Sequence, residues 1–137
     1  MRIDLSNRVI KYADDPNAFT VVGRDGANGG AEVVADPGDA ATITPPAGAL
    51  IFSCAVTTAG AETRVLGAPN FAGQRAIITL AVDGGDLTMT NASGWLDGGV
   101  SDDVVTFGDA GDSMICEAHG TAATDWRVTS EKGVAFA

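Results

Sequence analysis

The sequence predicts an all-β fold, and three observations lead to this class. The 137 residues are 45% hydrophobic but only 6% aromatic, with 18 glycines, a composition that suits short strands and tight turns. Several segments alternate apolar and polar residues with the two-residue period of a half-buried strand. No stretch of a dozen residues keeps a helical period free of glycine or proline. We therefore expect a compact antiparallel β-sandwich, jelly roll or small barrel.

Residues 1–30 are predicted to form an extended N-terminal arm, which leaves residues 31–137 as a single β domain. Two short extended segments are predicted in the arm, at residues 9–12 and 19–22. Neither segment belongs to a larger apolar cluster, and a glycine-rich loop follows at residues 23–30. An arm of this kind often packs on a neighbouring subunit or partner, although it could also be an edge strand of the same domain.

Eight strands are predicted in the second part of the chain. They span residues 49–57, 62–66, 75–82, 87–91, 103–107, 113–118, 125–130 and 134–136. One face of the first is apolar, with Leu50, Phe52, Cys54 and Val56, and one face of the third has Ala76, Ile78, Leu80 and Val82. The Asp-Gly-Gly-Asp segment at 83–86 is predicted to be a hairpin turn. No exact repeat that would mark a solenoid is present.

Charge limits the classes of partner. Eighteen acidic and eight basic residues give a formal net charge of −10, which disfavours binding to nucleic acids and to anionic membranes. An acidic surface serves solubility, or it docks on a basic protein surface. The first ten residues carry charges and lack the hydrophobic region of a secretory signal peptide. No segment has the ~18–20 apolar residues that a membrane-spanning helix needs. The sequence therefore predicts folding in a cytoplasm.

The two cysteines are predicted to be free, buried thiols. Cys54 and Cys116 lie on apolar strand faces, and their spacing fits neither a zinc site nor a disulfide scaffold. A disulfide between them remains an alternative if their strands adjoin.

Residues 111–120, GDSMICEAHG, begin like the nucleophile block of GDSL-type hydrolases. The only histidine, His119, is six residues after Ser113, so in one strand the two lie roughly 20 Å apart. A serine nucleophile needs its base within hydrogen-bond reach, so we predict no enzymatic activity. Asp112 and Ser113 are instead expected to cap a turn. The side chains expected to point into the core after this turn are Met114, Cys116, Ala118, Trp126 and Val128.

No metal site and no cofactor are predicted. Acidic residues are spread over turns and are not spaced as in an EF-hand loop. The turn residues considered are Asp83, Asp86, Asp97, Asp102, Asp103, Asp109 and Asp112. A calcium ion between two turns and a carboxylate pair for glycoside hydrolysis remain alternatives. Trp95, in the turn-like segment 91–99, is the better tryptophan for a contact surface, because an exposed indole often anchors an interface.

The C-terminal half, from about residue 62, resembles small β-rich structural proteins of tailed bacteriophages, of the capsid decoration (cement) or fibre type. Seven motifs carry the resemblance in order: RVLGAP (64–69), GQRAIITL (73–80), GGDLTMT (84–90), VTF (105–107), GDSMIC (111–116), DWRV (125–128) and GVAF (133–136). The chain lacks the long hydrophobic or repeated segments of extended fibres, which favours a decoration protein.

This resemblance implies a non-enzymatic protein that binds and stabilises a phage capsid. The expected partner is the major capsid protein, and self-association as a trimer is expected as well. The chain would be assembled in the host cytoplasm and end on the capsid exterior of the virion. The residues expected to bind partners are Ile3, Leu5, Val9, Ile10 and Tyr12 in the arm, and Trp95. The alternative is a phage fibre or a receptor-binding module that recognises a glycan through Trp95.

Overall fold

A computed structural model describes residues 2–4, 9–11, 21–22, 31–97, 100–119 and 125–137. Every regular element in this part of the chain is a β-strand, so the predicted all-β class is confirmed. The chain divides into two compact units, Met1–Gly30 and Ala31–Ala137. The extended arm predicted for residues 1–30 and the single β domain predicted for residues 31–137 stay predictions.

The first unit contains a three-stranded antiparallel sheet in the order β1-β2-β3. Its strands are β1 (Arg2–Asp4), β2 (Val9–Lys11) and β3 (Val21–Val22). Ile3 pairs with Ile10, and Val9 pairs with Val22. Strands β2 and β3 fall within the two predicted extended segments. Strand β1 was not predicted, because three residues with charges at both ends give no apolar pattern.

The described residues of the second unit form ten strands. They are β4 (Ala31–Val34), β5 (Ala41–Ile43), β6 (Ile51–Thr57), β7 (Glu62–Leu66), β8 (Arg75–Val82), β9 (Leu87–Asp97), β10 (Val100–Phe107), β11 (Ser113–His119), β12 (Asp125–Lys132) and β13 (Val134–Phe136). All eight strands predicted from residue 49 onward are present. Strands β4 and β5 were missed because three or four residues are too few to establish an alternating pattern.

The predicted antiparallel pairing is wrong where the first six of these strands pair with one another. Strands β4, β6 and β8 lie side by side in parallel, and so do β5, β7 and β9. Ala31 pairs with Ile51, and Ile51 with Arg75, so equivalent positions recur after 20 and then 24 residues without any repeat in sequence. The physical reason is that each connection crosses to the other row of strands instead of returning beside the strand it leaves.

The predicted hairpin at residues 83–86 is wrong for the same reason. Strand β8 pairs with β6 and β11, whereas β9 pairs with β7, β10 and β12. The two glycines allow this turn to lie directly on the preceding turn, since a Cβ atom on Gly84 would overlap the backbone of Thr58 and Ala59. The Thr58 hydroxyl accepts a hydrogen bond from the Gly84 amide (3.0 Å) and donates one to the Gly85 carbonyl (2.7 Å).

The remaining strands pair mostly antiparallel and make the sheet fork at β9. Strand β11 lies between β8 and β12, and β10 lies between β9 and β13. Strand β10 occupies one edge of β9. On the other edge, the first half of β9 pairs with β7, and Trp95 in its second half pairs with Trp126 of β12. One branch therefore runs β12-β11-β8-β6-β4, and the other runs β7-β5. Among the described residues, β4, β5 and β13 each pair along one edge only, so the network does not close.

One hydrophobic core takes its side chains from both branches. Its buried members are Ile43, Phe52, Cys54, Val56, Leu66, Ala76, Ile78, Leu80, Leu87, Met89, Val105, Phe107, Met114, Cys116, Ala118, Trp126 and Val128. Trp126 sits at the fork, where its indole Nε1 donates a hydrogen bond to the Gly67 carbonyl (2.9 Å) and its ring meets Phe52 edge-on. The core positions predicted after the Gly-Asp turn are confirmed.

Val82 is the exception on the predicted inner face of β8. Its side chain is 53% exposed. The pairing with β6 shifts by one residue here, since Leu80 lies opposite Val56 whereas Val82 lies opposite Thr57. Such a bulge turns the residues after it away from the alternation of the strand.

Replacing Gly84 with alanine tests the stacking of consecutive turns. We expect Gly84→Ala to lower the free energy of unfolding by about 2 kcal/mol, because the added methyl group needs the backbone of Thr58 and Ala59 to move. Gly108→Ala is the matched control, since its Cβ atom meets nothing within 4 Å, and it should change stability by less than about 1 kcal/mol. Denaturant unfolding measures both. Equal stability of the two variants would contradict the stacking.

Candidate interaction surfaces

The alternating path of the chain places its connections at two opposite ends of the second unit. Residues 35–40, 58–61 and 83–86 each follow a strand of the β4-β6-β8 row, so they lie at one end. Segment 108–112 joins them, through hydrogen bonds that link Leu80 with Gly111 and Asp112. Residues 44–50 and 67–74 lie at the other end. We call these the acidic end and the uncharged end.

Charge is distributed unevenly over the second unit, although the loops 44–50 and 67–74 share their end with His119 and Asp125 of the β11–β12 pair. Residues 31–137 contain 14 acidic and four basic residues, whereas residues 1–30 contain four of each, so the second unit carries the whole net charge of −10. The carboxylates of the acidic end belong to Asp36, Asp39, Glu62, Asp83, Asp86, Asp109 and Asp112. Residues 44–50 and 67–74 contain no Asp, Glu, Lys, Arg or His.

A buried arginine organises the acidic end. The Arg64 side chain is only 1% exposed. Its Nε donates to Asp36 (2.8 Å), its Nη2 donates to Glu62 (2.9 Å) and its Nη1 donates to the Thr63 carbonyl (2.9 Å). The Asp36 carboxylate also accepts the amide of Thr57 (3.0 Å). These bonds tie the β4–β5 connection to the end of β6 and to β7.

The same contacts set the protonation of the pair. Burial alone would raise the pKa of Asp36, but hydrogen bonds from Arg64 and from the Thr57 and Gly38 amides lower that pKa below its ordinary value of 3.8. The hydrogen bond to Asp36 in turn raises the pKa of Arg64, together with the one to Glu62. Asp36 and Arg64 are therefore a charged pair at neutral pH.

The Gly-Asp turn at the start of β11 is confirmed as a structural turn. One oxygen of the Asp112 carboxylate accepts the amides of Gly108 (2.9 Å) and Asp109 (3.0 Å). Gly133, at positive φ, lies against the same carboxylate, where a Cβ atom would overlap it. The carboxylate thus holds its own turn and packs against the β12–β13 connection.

A buried glutamine organises the uncharged end. The Gln74 side-chain amide donates to the carbonyls of Pro46 (2.8 Å) and Ala49 (2.9 Å), and its oxygen accepts the Asn70 amide (2.8 Å). Asn70 donates in turn to the Pro45 carbonyl (2.9 Å). The two loops are therefore fixed to each other. The exposed residues on them include Ala47, Gly48, Ala68, Asn70 and Ala72, with Pro46 and Phe71 half-buried.

An open groove of about 380 Å³ lies on the β11–β12 pair. Its lining includes Glu117, His119 and Arg127, and Glu117 also accepts a hydrogen bond from Arg75 (2.9 Å). Ser113 does not reach this groove, because Ser113 and His119 are at opposite ends of the ladder with β12. The serine and the histidine do not form a nucleophile–base pair.

The structure places the six predicted partner-binding residues as follows. Ile3, Val9 and Ile10 lie on β1 and β2, whereas Leu5 and Tyr12 lie outside the described residues. Trp95 lies within β9, so its predicted position in a loop is wrong. The strand continues through this glycine- and serine-containing segment because its backbone is paired on both edges, with β10 and β12. Partner binding by these residues stays a prediction.

The cysteines are free and buried, as predicted. Strand β8 lies between their strands, where Cys54 pairs with Ile78 and Cys116 pairs with Ala76. The two cysteines are separated by two inter-strand spacings across the sheet and by two residues along the strands. Their Cα atoms are therefore roughly 12 Å apart, beyond the ~7 Å limit of a disulfide. Burial raises the pKa of the Cys54 thiol to about 11, and burial raises the pKa of Cys116 further.

Comparison of the chain with protein-family models and with curated proteins finds no match. Within the described residues, no helix has the length and apolar character needed to cross a membrane. Nor does that part of the chain bring three or more His, Cys, Asp or Glu side chains together in a group that could hold a metal ion.

Sequence reasoning missed Arg64, Gln74 and the separation of charge between the ends. Arg64 did carry a signal, since it shares the parity of buried Leu66 in β7 and therefore points inward. A single cation at an inward position predicts a buried ion pair. The uncharged end was also visible as two long runs without a charged residue, 40–61 and 65–74.

Asp36→Asn tests the role of the buried pair. The pKa of Asp36 is lower in the folded than in the unfolded state. The stability that the ionised Asp36 adds to the fold is therefore present above pH 3.8, and it is lost as the pH falls through the pKa of Asp36 in the folded protein. The variant should lose about 3 kcal/mol of stability at pH 7, since it leaves Arg64 buried with one close carboxylate fewer. It should also lose less stability on acidification.

Denaturant unfolding at pH 3 to 7 measures both effects, with the exposed Asp109→Asn as control. The same acid sensitivity in variant and wild type would contradict this role.

Thiol reactivity tests the burial of the cysteines. We expect neither Cys54 nor Cys116 to react with an aromatic disulfide reagent at pH 8 in the folded protein, because both thiols are buried and protonated. Both should react at once in denaturant. Rapid reaction of either thiol without denaturant, or recovery of an oxidised pair, would show that this arrangement is wrong.

Proposed function

We propose that this chain is a non-enzymatic structural protein of a phage virion. In this role it binds the major capsid protein and stabilises the shell as a decoration protein. It is assembled in the host cytoplasm and sits on the capsid exterior, as a homo-oligomer that we take to be a trimer. In this proposal the two branches of the second unit are the layers of a β-sandwich.

The observation that supports the proposal most is the position of the seven motifs that resemble phage structural proteins. Each motif includes part of a different strand, in some cases with an adjoining turn, and together they fall on the seven consecutive strands β7 to β13. The order of the motifs is therefore the order of the strands.

A stiff body suits this function. The turns of the second unit are stacked through Thr58 and Gly84 and locked by the Arg64 and Gln74 hydrogen bonds. A decoration protein resists the expansion of a filled shell by making many weak contacts at once, and a stiff body transmits load between those contacts. In this proposal residues of the first unit and Trp95 make contacts with the shell.

Binding to shells tests the proposal. The full chain is mixed with shells assembled from the major capsid protein encoded nearest to its gene, and bound chain is separated by sedimentation. We expect saturable binding and a higher disruption temperature of the shells. Val9→Asp and Trp95→Ala should each weaken binding at least about tenfold if those residues make central contacts. Asp109→Asn is the control and should bind as the wild type does.

Two results would overturn the proposal. One is the absence of binding to shells at any concentration of the folded chain. The other is binding to a glycan array that is lost in Trp95→Ala, which would favour the receptor-binding alternative.

A further inference from the structure

We draw no further inference here: the strongest candidate, the outer face of strands β6, β8 and β11, on which Ile51, Ile77 and Ile115 are half-buried, is an apolar sheet face, and nothing in the described part of the structure shows what covers it.

Discussion

The buried ion pair between Arg64 and Asp36 is the interaction on which the second unit depends. Strand β4 has only four paired residues and β5 only three. Backbone hydrogen bonds alone are too few to hold these two short strands against the rest of the sheet. Asp36 lies in the connection between them and binds both the Arg64 side chain on β7 and the Thr57 amide at the end of β6. This one carboxylate therefore attaches the first pair of strands to the second pair.

Placing the arginine at one end has a consequence for the distribution of charge. The cation is enclosed by Asp36 and Glu62, and its charge is largely hidden from solvent. The exposed Asp39 carboxylate also lies 3.8 Å from the Arg64 guanidinium. This single cation is thus shared by three carboxylates, so the acidic end keeps a net negative charge. At the other end the same structural task is performed by Gln74, a neutral side chain whose donors and acceptor are all used. The connections at the two ends are thus held together by different chemistry, an ion pair at one and neutral hydrogen bonds at the other.

The sequence predicted the strands well and their partners poorly, for a physical reason. Alternation is a local property, and it located β6 to β13 within a few residues. The parallel pairing among β4 to β9 joins residues 20 or more positions apart, for which the sequence contains no local signal. The segment 83–86 has the residues of a hairpin turn, yet the same glycines also let one turn lie on another.

Trp95 looked like a loop residue because of its neighbours, whereas pairing on both edges keeps it in a strand. Of the candidate surfaces, the arm residues and Trp95 were chosen from apolar character alone, and the charge-free end emerged only when the topology brought its two loops together.

The fork at β9 also bears on how the chain reaches its fold. The native position of Trp126 needs both β7 and β9, because its indole binds the carbonyl that follows β7 and its backbone pairs with Trp95. That contact joins residues 59 positions apart. Pairings between distant segments form slowly, because the loop entropy must be lost before the contact is gained. We therefore expect the burial of this indole to be a late step of folding, so that it marks the completion of the fold rather than the first collapse of the chain.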